Sequence, residues 1–336
     1  MKIAIIGAGA MGTLLGHGFC KAGHHVTFID LPGRVHQIRA MKKLAVISPE
    51  GQESWFTPAL VTSNYDAAGI QDVVVLATKS QDLPAVAQKL SCLTSARTTL
   101  ITIQNGLPWW YLQGLATDLG TARIPCLDPD GLLEKHVDSS QIIGCVAYPA
   151  ATLEKDGRVR HVEGLRFPVG ELDGAVRDRT VRLVELFEES GFKSRAIEDI
   201  RSELWLKAWG AVSINPISAL SRATMVDICD FDLTRDVIVQ MMREVQQVAE
   251  ALGASFRHTI EKRVSGARAV GAHKTSMLQD VESGRPLELD ALMLSVIQLA
   301  NMVDIEVPTV RTVYACVALL NQNLIANATQ AEELVA

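Results

Sequence analysis

Residues 2–23 read KIAIIGAGAMGTLLGHGFCKAG, and no other stretch restricts the possible folds so strongly. A short apolar run, Lys2 to Ile6, opens directly onto Gly7-Ala8-Gly9-Ala10-Met11-Gly12 and then onto a helical pattern. That order is strand, G-x-G-x-x-G, helix. Gly7 permits a tight turn, Gly9 lets backbone approach a pyrophosphate, and Gly12 lets helix and strand pack closely. The helix N-terminus then offers unpaired N–H groups and the positive end of its dipole to phosphates. A bare G-x-G-x-x-G is a weak signal; the strand before it and the helix after it supply the required context.

Gly23 closes that helix, and HHVTFID forms the next strand. It ends in Asp30, eighteen residues after Gly12. A carboxylate there accepts hydrogen bonds from the adenosine ribose hydroxyls and repels a 2′-phosphate. Arg34, close behind, would act in the opposite sense. The lesser alternative for Asp30 is a plain strand-end residue before the Leu31-Pro32-Gly33 turn.

The same alternation continues. QDVVVLATKS reads as a buried strand ending in Thr78-Lys79, and TTLITIQNGL as another ending in Gln104-Asn105-Gly106. In open α/β sheets ligands sit outside the carboxyl ends of strands, which makes Lys79 and Asn105 candidate contacts for cofactor or substrate. A solvated lysine and a turn-forming Asn-Gly are the bland alternatives. QIIGCVAYPAA and GLRFPVGEL add strand signal on either side of an Asp156-Gly157 turn.

After Gly191 the pattern changes to apolar residues at three- and four-residue spacing, as in SRAIEDIRSELWLKAWGAV and TRDVIVQMMREVQQVAEALG. The expected organisation is a dinucleotide-binding domain over 1–194 and a helical domain over 195–336, with a cleft between them as the default place for a small substrate. On the helix carrying Lys207, Ala211 and Asn215 follow at i+4 and i+8 along one face. Pro216 is expected to end or kink that helix at Asn215. Further on, Ser276 with Gln279 matches a capping box, and Glu288 falls in the first turn of the next helix, where a carboxylate suits the dipole.

Bulk properties exclude several classes. The 336 residues are 48% hydrophobic and 21% charged with a net charge of −6, so there is no basic footprint for nucleic acid. No apolar run reaches the ~18 residues of a membrane span, and glycines interrupt the apolar start, so it does not read as a signal peptide. Six scattered cysteines without a C-x-x-C pair point to reduced thiols and a cytoplasmic protein.

Taken together the motifs resemble the ketopantoate reductase (2-dehydropantoate 2-reductase) family. GAGAMG, TK at 78–79, QNGL at 104–107, W-x-K with NPISAL through 205–220, SMLQD at 276–280 and E-L-D at 288–290 run in family order over nearly the whole chain. The resemblance implies an α/β N-terminal Rossmann domain with a parallel sheet and an all-helical C-terminal domain. It also implies reduction of a small 2-keto acid by NADPH, without a metal and away from membranes; a homodimer stays open. Lys207 then matches the general acid. Asn105, Asn215 and Ser276 match substrate-holding residues, Glu288 helps complete the cofactor and substrate site, and Ala150 falls near a backbone contact to cofactor. The chain departs from the family pattern twice. Ala211 stands where an asparagine is usual, which bears on the substrate. Asp30-Leu31 stands where a basic residue is usual, which bears on the cofactor's phosphate and keeps NAD(H) open.

The chemistry favours the lysine on its own terms. Hydride delivery to a ketone carbon leaves a developing alkoxide that needs a positive donor about 3 Å away. A lysine within an apolar helix is costly unless paired, and a neighbouring carboxylate such as Glu288 could orient it. The competing readings are an NAD-dependent D-2-hydroxy acid dehydrogenase on the same scaffold and a dinucleotide-binding regulator that has lost catalysis.

Overall fold

The computed structural model describes residues 1–115 and 117–333 and contains two compact units. The first comprises Met1–Gln104, Pro108–Arg123 and Asp128–Ile200; the second comprises Asn105–Leu107, Ile124–Leu127 and the chain from Arg201 onward. The expected boundary at 194/195 falls inside a strand, and the sheet unit therefore runs on to Ile200.

In the first unit the strands are β1 (Lys2–Ile6), β2 (His25–Ile29), β3 (Leu44–Ile47), β4 (Glu53–Phe56), β5 (Leu60–Thr62), β6 (Val73–Leu76), β7 (Thr99–Thr102), β8 (Ile142–Cys145), β9 (Ala150–Leu153), β10 (Val159–Glu163), β11 (Arg166–Glu171) and β12 (Lys193–Ala196). An eight-stranded sheet has the order β12-β11-β8-β7-β6-β1-β2-β5. From β5 to β8 every pairing is parallel, and the central strands β6, β7 and β8 are wholly buried, as a sheet covered on both faces requires. The one antiparallel step is β8 with β11, because the chain between them returns through strands rather than a crossover helix. Strand order reverses between β1 and β6, the place where this topology opens a crevice at the strand ends.

A second sheet, β4-β3-β10-β9, was not anticipated from the sequence. Helix α1 (Ala10–Lys21) touches all four of its strands as well as β1 and β2, so it is enclosed between two sheets. Its buried residues, from Gly12 through Phe19, lie on more than one face, as an enclosed helix requires. The unit's other helices are α2 (Pro32–Met41), α3 (Leu83–Ala87), α4 (Leu132–His136) and α5 (Asp178–Glu189). Phe19, Phe167, Phe187 and Phe192 pack together in the core, with Phe167 stacked on Phe187 at 4.9 Å between ring centroids.

The second unit is helical: α6 (Ile200–Ser221), α7 (Met225–Asp230), α8 (Asp232–Ala251), α9 (Ile260–Ala269), α10 (Ser276–Glu282), a π-helical turn at Asp290–Leu294, α11 (Ser295–Met302) and α12 (Pro308–Glu333). Helix α8 is strongly amphipathic and buries Ile238, Met241, Val245 and Val248. Its Glu244, 2% exposed, accepts from the Thr309 and Val310 amides at 3.1 and 2.9 Å and so caps α12. Among the described residues, no helix is long and apolar enough to cross a membrane.

Two local expectations are corrected here. Helix α6 does not end at Asn215 but continues through Pro216 to Ser221. Proline in a helix interior costs ~3 kcal/mol. Ile214 and Ile217, 1% and 9% exposed, flank it, and burying each such side chain contributes about 1.5–3 kcal/mol. At α10 the cap is Thr275, whose hydroxyl accepts from the Leu278 amide at 3.2 Å; Ser276 is the first helical residue, and the Gln279 side chain bonds the Lys274 carbonyl instead.

Candidate active site

In the first unit the glycine-rich turn is shaped by close contacts on two sides and by space on a third. Gly7 has φ +103°, and a Cβ there would lie 2.8 Å from the Ala77 carbonyl carbon and the Thr78 nitrogen. A Cβ at Gly12 would overlap the Gly7 carbonyl oxygen. Gly9 differs: its φ of −78° is open to any residue, and a Cβ would meet nothing within 4 Å. Nothing in the protein requires glycine at that position. The room it leaves lies at the N-cap of α1, which has no side-chain cap, so amide groups and the positive dipole end face that space.

Asp30, at the end of β2, accepts from the Ala8 amide at 2.6 Å through Oδ2 and from the Leu31 amide at 2.7 Å through Oδ1. Arg34 donates to the Ala8 carbonyl from Nε at 3.2 Å and from Nη2 at 3.0 Å. The two side chains hold opposite ends of the same residue of the turn. Burial lowers the Arg34 pKa, and the Asp30 charge partly restores it. Burial, then the Asp30 charge, pushes the Tyr65 phenol up to about 12. Asp82 is also raised, mainly by burial, against the pull of Lys79. Lys79 precedes the short turn at Ser80–Asp82, just beyond β6.

At the ends of β6 and β7, Gln104 Nε2 bonds the Leu76 and Thr78 carbonyls at 2.8 and 3.0 Å. Gln104 Oε1, Thr78 Oγ1 and Ser80 Oγ are buried there with no protein partner. Orphaned polar atoms beside an open glycine turn and an uncapped helix fit a dinucleotide, whose phosphates and amide can supply the missing bonds. Ala150 begins β9 in the four-stranded sheet, paired with Glu163 across a bulge.

In the second unit, residues Glu203 to Ala219 of α6 are all buried except Lys207, Ala211 and Asn215. The stripe expected from their spacing is thus the accessible line of the helix. Lys207 Nζ donates to Asn105 Oδ1 at 2.7 Å. That pair spans 102 residues of sequence and could not be read from local spacing.

What places Asn105 is the next residue. Gly106 has φ +83°, and a Cβ there would overlap the Ala291 carbonyl oxygen. That oxygen accepts from the Leu107 amide at 2.8 Å and from Ser295 Oγ at 2.9 Å. Ala291 lies in the π-helical turn, a local distortion that often marks functional positions. The sequence reading missed both this docking and the buried Gln104 amide; an Asn-Gly after a buried strand was the available signal. Glu288, half-buried between buried Leu287 and Leu289, sits just ahead of the helical segment rather than within its first turn. Ser276 is exposed at the start of α10. Burial raises the Asp290 carboxyl, and burial with the Asp290 charge pushes the Cys126 thiol up to about 12.

Comparisons with known proteins point to one family. The family model described as ketopantoate reductase PanE/ApbA matches residues 3–174, and the corresponding C-terminal model matches residues 199–321. A 2-dehydropantoate 2-reductase of Mesorhizobium japonicum is 38% identical over 95% of this chain and 98% of its own length. A crystal structure of a candidate ketopantoate reductase from Ralstonia solanacearum is 30% identical, with a TM-score of 0.88, over 96% of this chain and 98% of its own. A D-mandelate dehydrogenase solved with NADH and anilino(oxo)acetate shares the fold at 19% identity and a TM-score of 0.81, over 96% of this chain and 99% of its own.

Proposed function

The chain belongs to the ketopantoate reductase family, and on that premise we propose that it reduces 2-dehydropantoate to pantoate, with Lys207 as the proton donor. The carrying observation is the Lys207 ammonium on the one accessible line of α6, fixed by Asn105 at 2.7 Å. A nicotinamide cofactor, when bound, would supply the hydride for C2 of the keto acid. The keto oxygen gains negative charge as that bond forms, and the Lys207 ammonium both offsets the charge and delivers the proton. An ammonium carries three donors; Asn105 takes one and thereby sets the side chain's direction. Asn215, further along the same line, Ser276 and Glu288 are the proposed further contacts for substrate and cofactor.

The cofactor's phosphates are assigned to the turn at Gly7, Gly9 and Gly12 and to the N-terminus of α1. Asp30 is already bonded to two backbone amides, yet a carboxylate oxygen has capacity for a further donor such as a ribose hydroxyl. Its charge opposes a 2′-phosphate, whereas Arg34 beside it favours one. The proposed preference for NADPH over NADH is therefore modest. Lys79 and Ala150 complete the proposed cofactor contacts.

The discriminating experiment is steady-state turnover of ketopantoate and a panel of branched and aromatic 2-keto acids, each with NADPH and NADH. The proposal requires ketopantoate reduction at an enzymatic rate. Exclusive use of aromatic 2-keto acids with NADH would favour the D-2-hydroxy acid dehydrogenase reading, and no turnover of any keto acid would leave a non-catalytic binder.

A further inference from the structure

Three side-chain oxygens just beyond the carboxyl ends of β6 and β7 are covered and have no hydrogen-bond partner among the described residues: Thr78 Oγ1, Ser80 Oγ and Gln104 Oε1. The residues that carry them are only half-buried, at the open ends of their strands. The Gln104 amide cannot turn to relieve its oxygen. Its nitrogen has two hydrogens, and both are spent on the Leu76 and Thr78 carbonyls, at 2.8 and 3.0 Å. A flipped amide would set Oε1 against those two carbonyl oxygens, so the network fixes the assignment. Oε1 is therefore an acceptor with an unmet bond, whereas the Thr78 and Ser80 hydroxyls can each donate or accept.

That mixture selects the group it can take. A phosphate or a carboxylate presents acceptors, which Oε1 opposes. A primary carboxamide presents an NH2 and a carbonyl, the complement of one fixed acceptor beside hydroxyl donors. Position narrows the choice further. The strand order sets the ends of β2, β1, β6 and β7 side by side, about 4.8 Å from one to the next. Asp30 at the end of β2 is assigned to the adenosine ribose, and the glycine turn after β1 to the phosphates. A dinucleotide bound across the reversal of strand order carries its other half past β1, towards β6 and β7. The Ala77–Thr78 peptide lies against the glycine turn, since a Cβ on Gly7 would come within 2.8 Å of it. Asn105, which holds Lys207, is the next residue after Gln104.

We propose that Gln104 reads the carboxamide of the nicotinamide, with Oε1 accepting from the amide NH2. The inference rests on the nicotinamide-dependent reductase reading and deepens it. One side chain then has two tasks: Nε2 ties the ends of β6 and β7 together, and Oε1 sets the rotation of the nicotinamide ring.

The test is calorimetric titration with NADPH and with its 3-acetylpyridine analogue, in which a methyl group replaces the amide NH2 and the carbonyl is kept. The parent should bind NADPH about tenfold or more tightly than the analogue, because the analogue leaves Oε1 unpaired. In Gln104→Met, which keeps the length of the side chain and removes both polar atoms, that preference should collapse to within about twofold. Any loss through the bonds to Leu76 and Thr78 falls on both ligands alike and cancels in the ratio. Gln104→Asn, which withdraws the oxygen by one methylene, should lose most of the preference and carries the same comparison where Gln104→Met does not fold. A parent that binds both ligands equally would overturn the inference. A preference that survives in the variants would also overturn it, by giving the carboxamide to another acceptor. A parent that binds neither ligand nor NADH, and reduces no 2-keto acid, would overturn the functional reading as well. Normal reduction with either of the first two results would overturn this inference alone.

Discussion

Replacing Gly106 by alanine should damage the protein more than the same change at an unobstructed glycine turn. Two costs add. An L-residue held at φ +83° loses about 1–2 kcal/mol against its preferred backbone. The new Cβ also overlaps the Ala291 carbonyl oxygen, so the segment has to withdraw and the bond from the Leu107 amide, 2.8 Å in the parent, is broken. A buried polar group left unsatisfied costs about 1–3 kcal/mol. The sum, about 2–5 kcal/mol, is a large part of the ~5–15 kcal/mol that holds a typical domain folded. Asn105 is the preceding residue, so withdrawal moves its Oδ1 away from Lys207 Nζ. A displacement near 1 Å costs ~10²-fold in rate when it moves a catalytic group. Gly253→Ala is the control, with φ +86° and nothing within 4 Å of the added carbon, so it carries the backbone cost alone. Thermal midpoints, kcat and NADPH affinity measured on both variants separate the contributions. If Gly106→Ala melts like Gly253→Ala and keeps parental kcat, the contact with Ala291 is not what holds Asn105.

Three further outcomes follow from the geometry. Asp30→Asn keeps one acceptor for the turn but removes the charge, so fluorescence titration should show the ratio of NADH to NADPH dissociation constants moving several-fold towards NADPH. An unchanged ratio would mean the carboxylate does not face the ribose. Ala211→Asn restores an amide on the accessible line of α6. It should raise kcat/KM for ketopantoate over 2-ketoisovalerate, mostly through ketopantoate, because a site that bonds a hydroxyl rejects analogues lacking it; equal change for both substrates would refute this. Asp290 has its folded-state pKa raised by burial above 3.8, so the folded protein binds more protons than the unfolded chain just above that pH, and stability falls as pH rises through the window. Asp290→Asn should match the parent below that window and be the more stable protein at pH 7; parallel stability curves from pH 3 to 8 would contradict it.

Most of the scaffold could be read before any coordinates, and the failures have local causes. The G-x-G-x-x-G with its flanking strand and helix identified β1, α1 and the crevice, because each glycine answers a separate steric demand. The four-stranded sheet escaped notice because β3 and β4 are four residues each and are joined across a Ser-Pro-Glu-Gly turn that reads as loop. Pro216 suggested a helix end because sequence rules weigh the lost N–H, whereas the burial of Ile214 and Ile217 on either side of it is a property of the folded chain. Thr275, buried, takes the cap from exposed Ser276, one residue from the position the Ser-x-x-Gln spacing suggested. In the site, the line Lys207–Ala211–Asn215 was legible from helical spacing alone. Its partner Asn105 was not, since it arrives from a remote segment and leaves no periodic trace.

The most direct test of the account is the single-turnover rate of ketopantoate reduction by Lys207→Ala with cofactor prebound. Loss of the proton donor should slow that step by roughly 10²–10⁴-fold, about 3–5 kcal/mol, while the cofactor's dissociation constant stays at the parental value. A variant that binds cofactor normally and turns over within a few-fold of the parent would show that the Lys207 ammonium does not serve the chemistry.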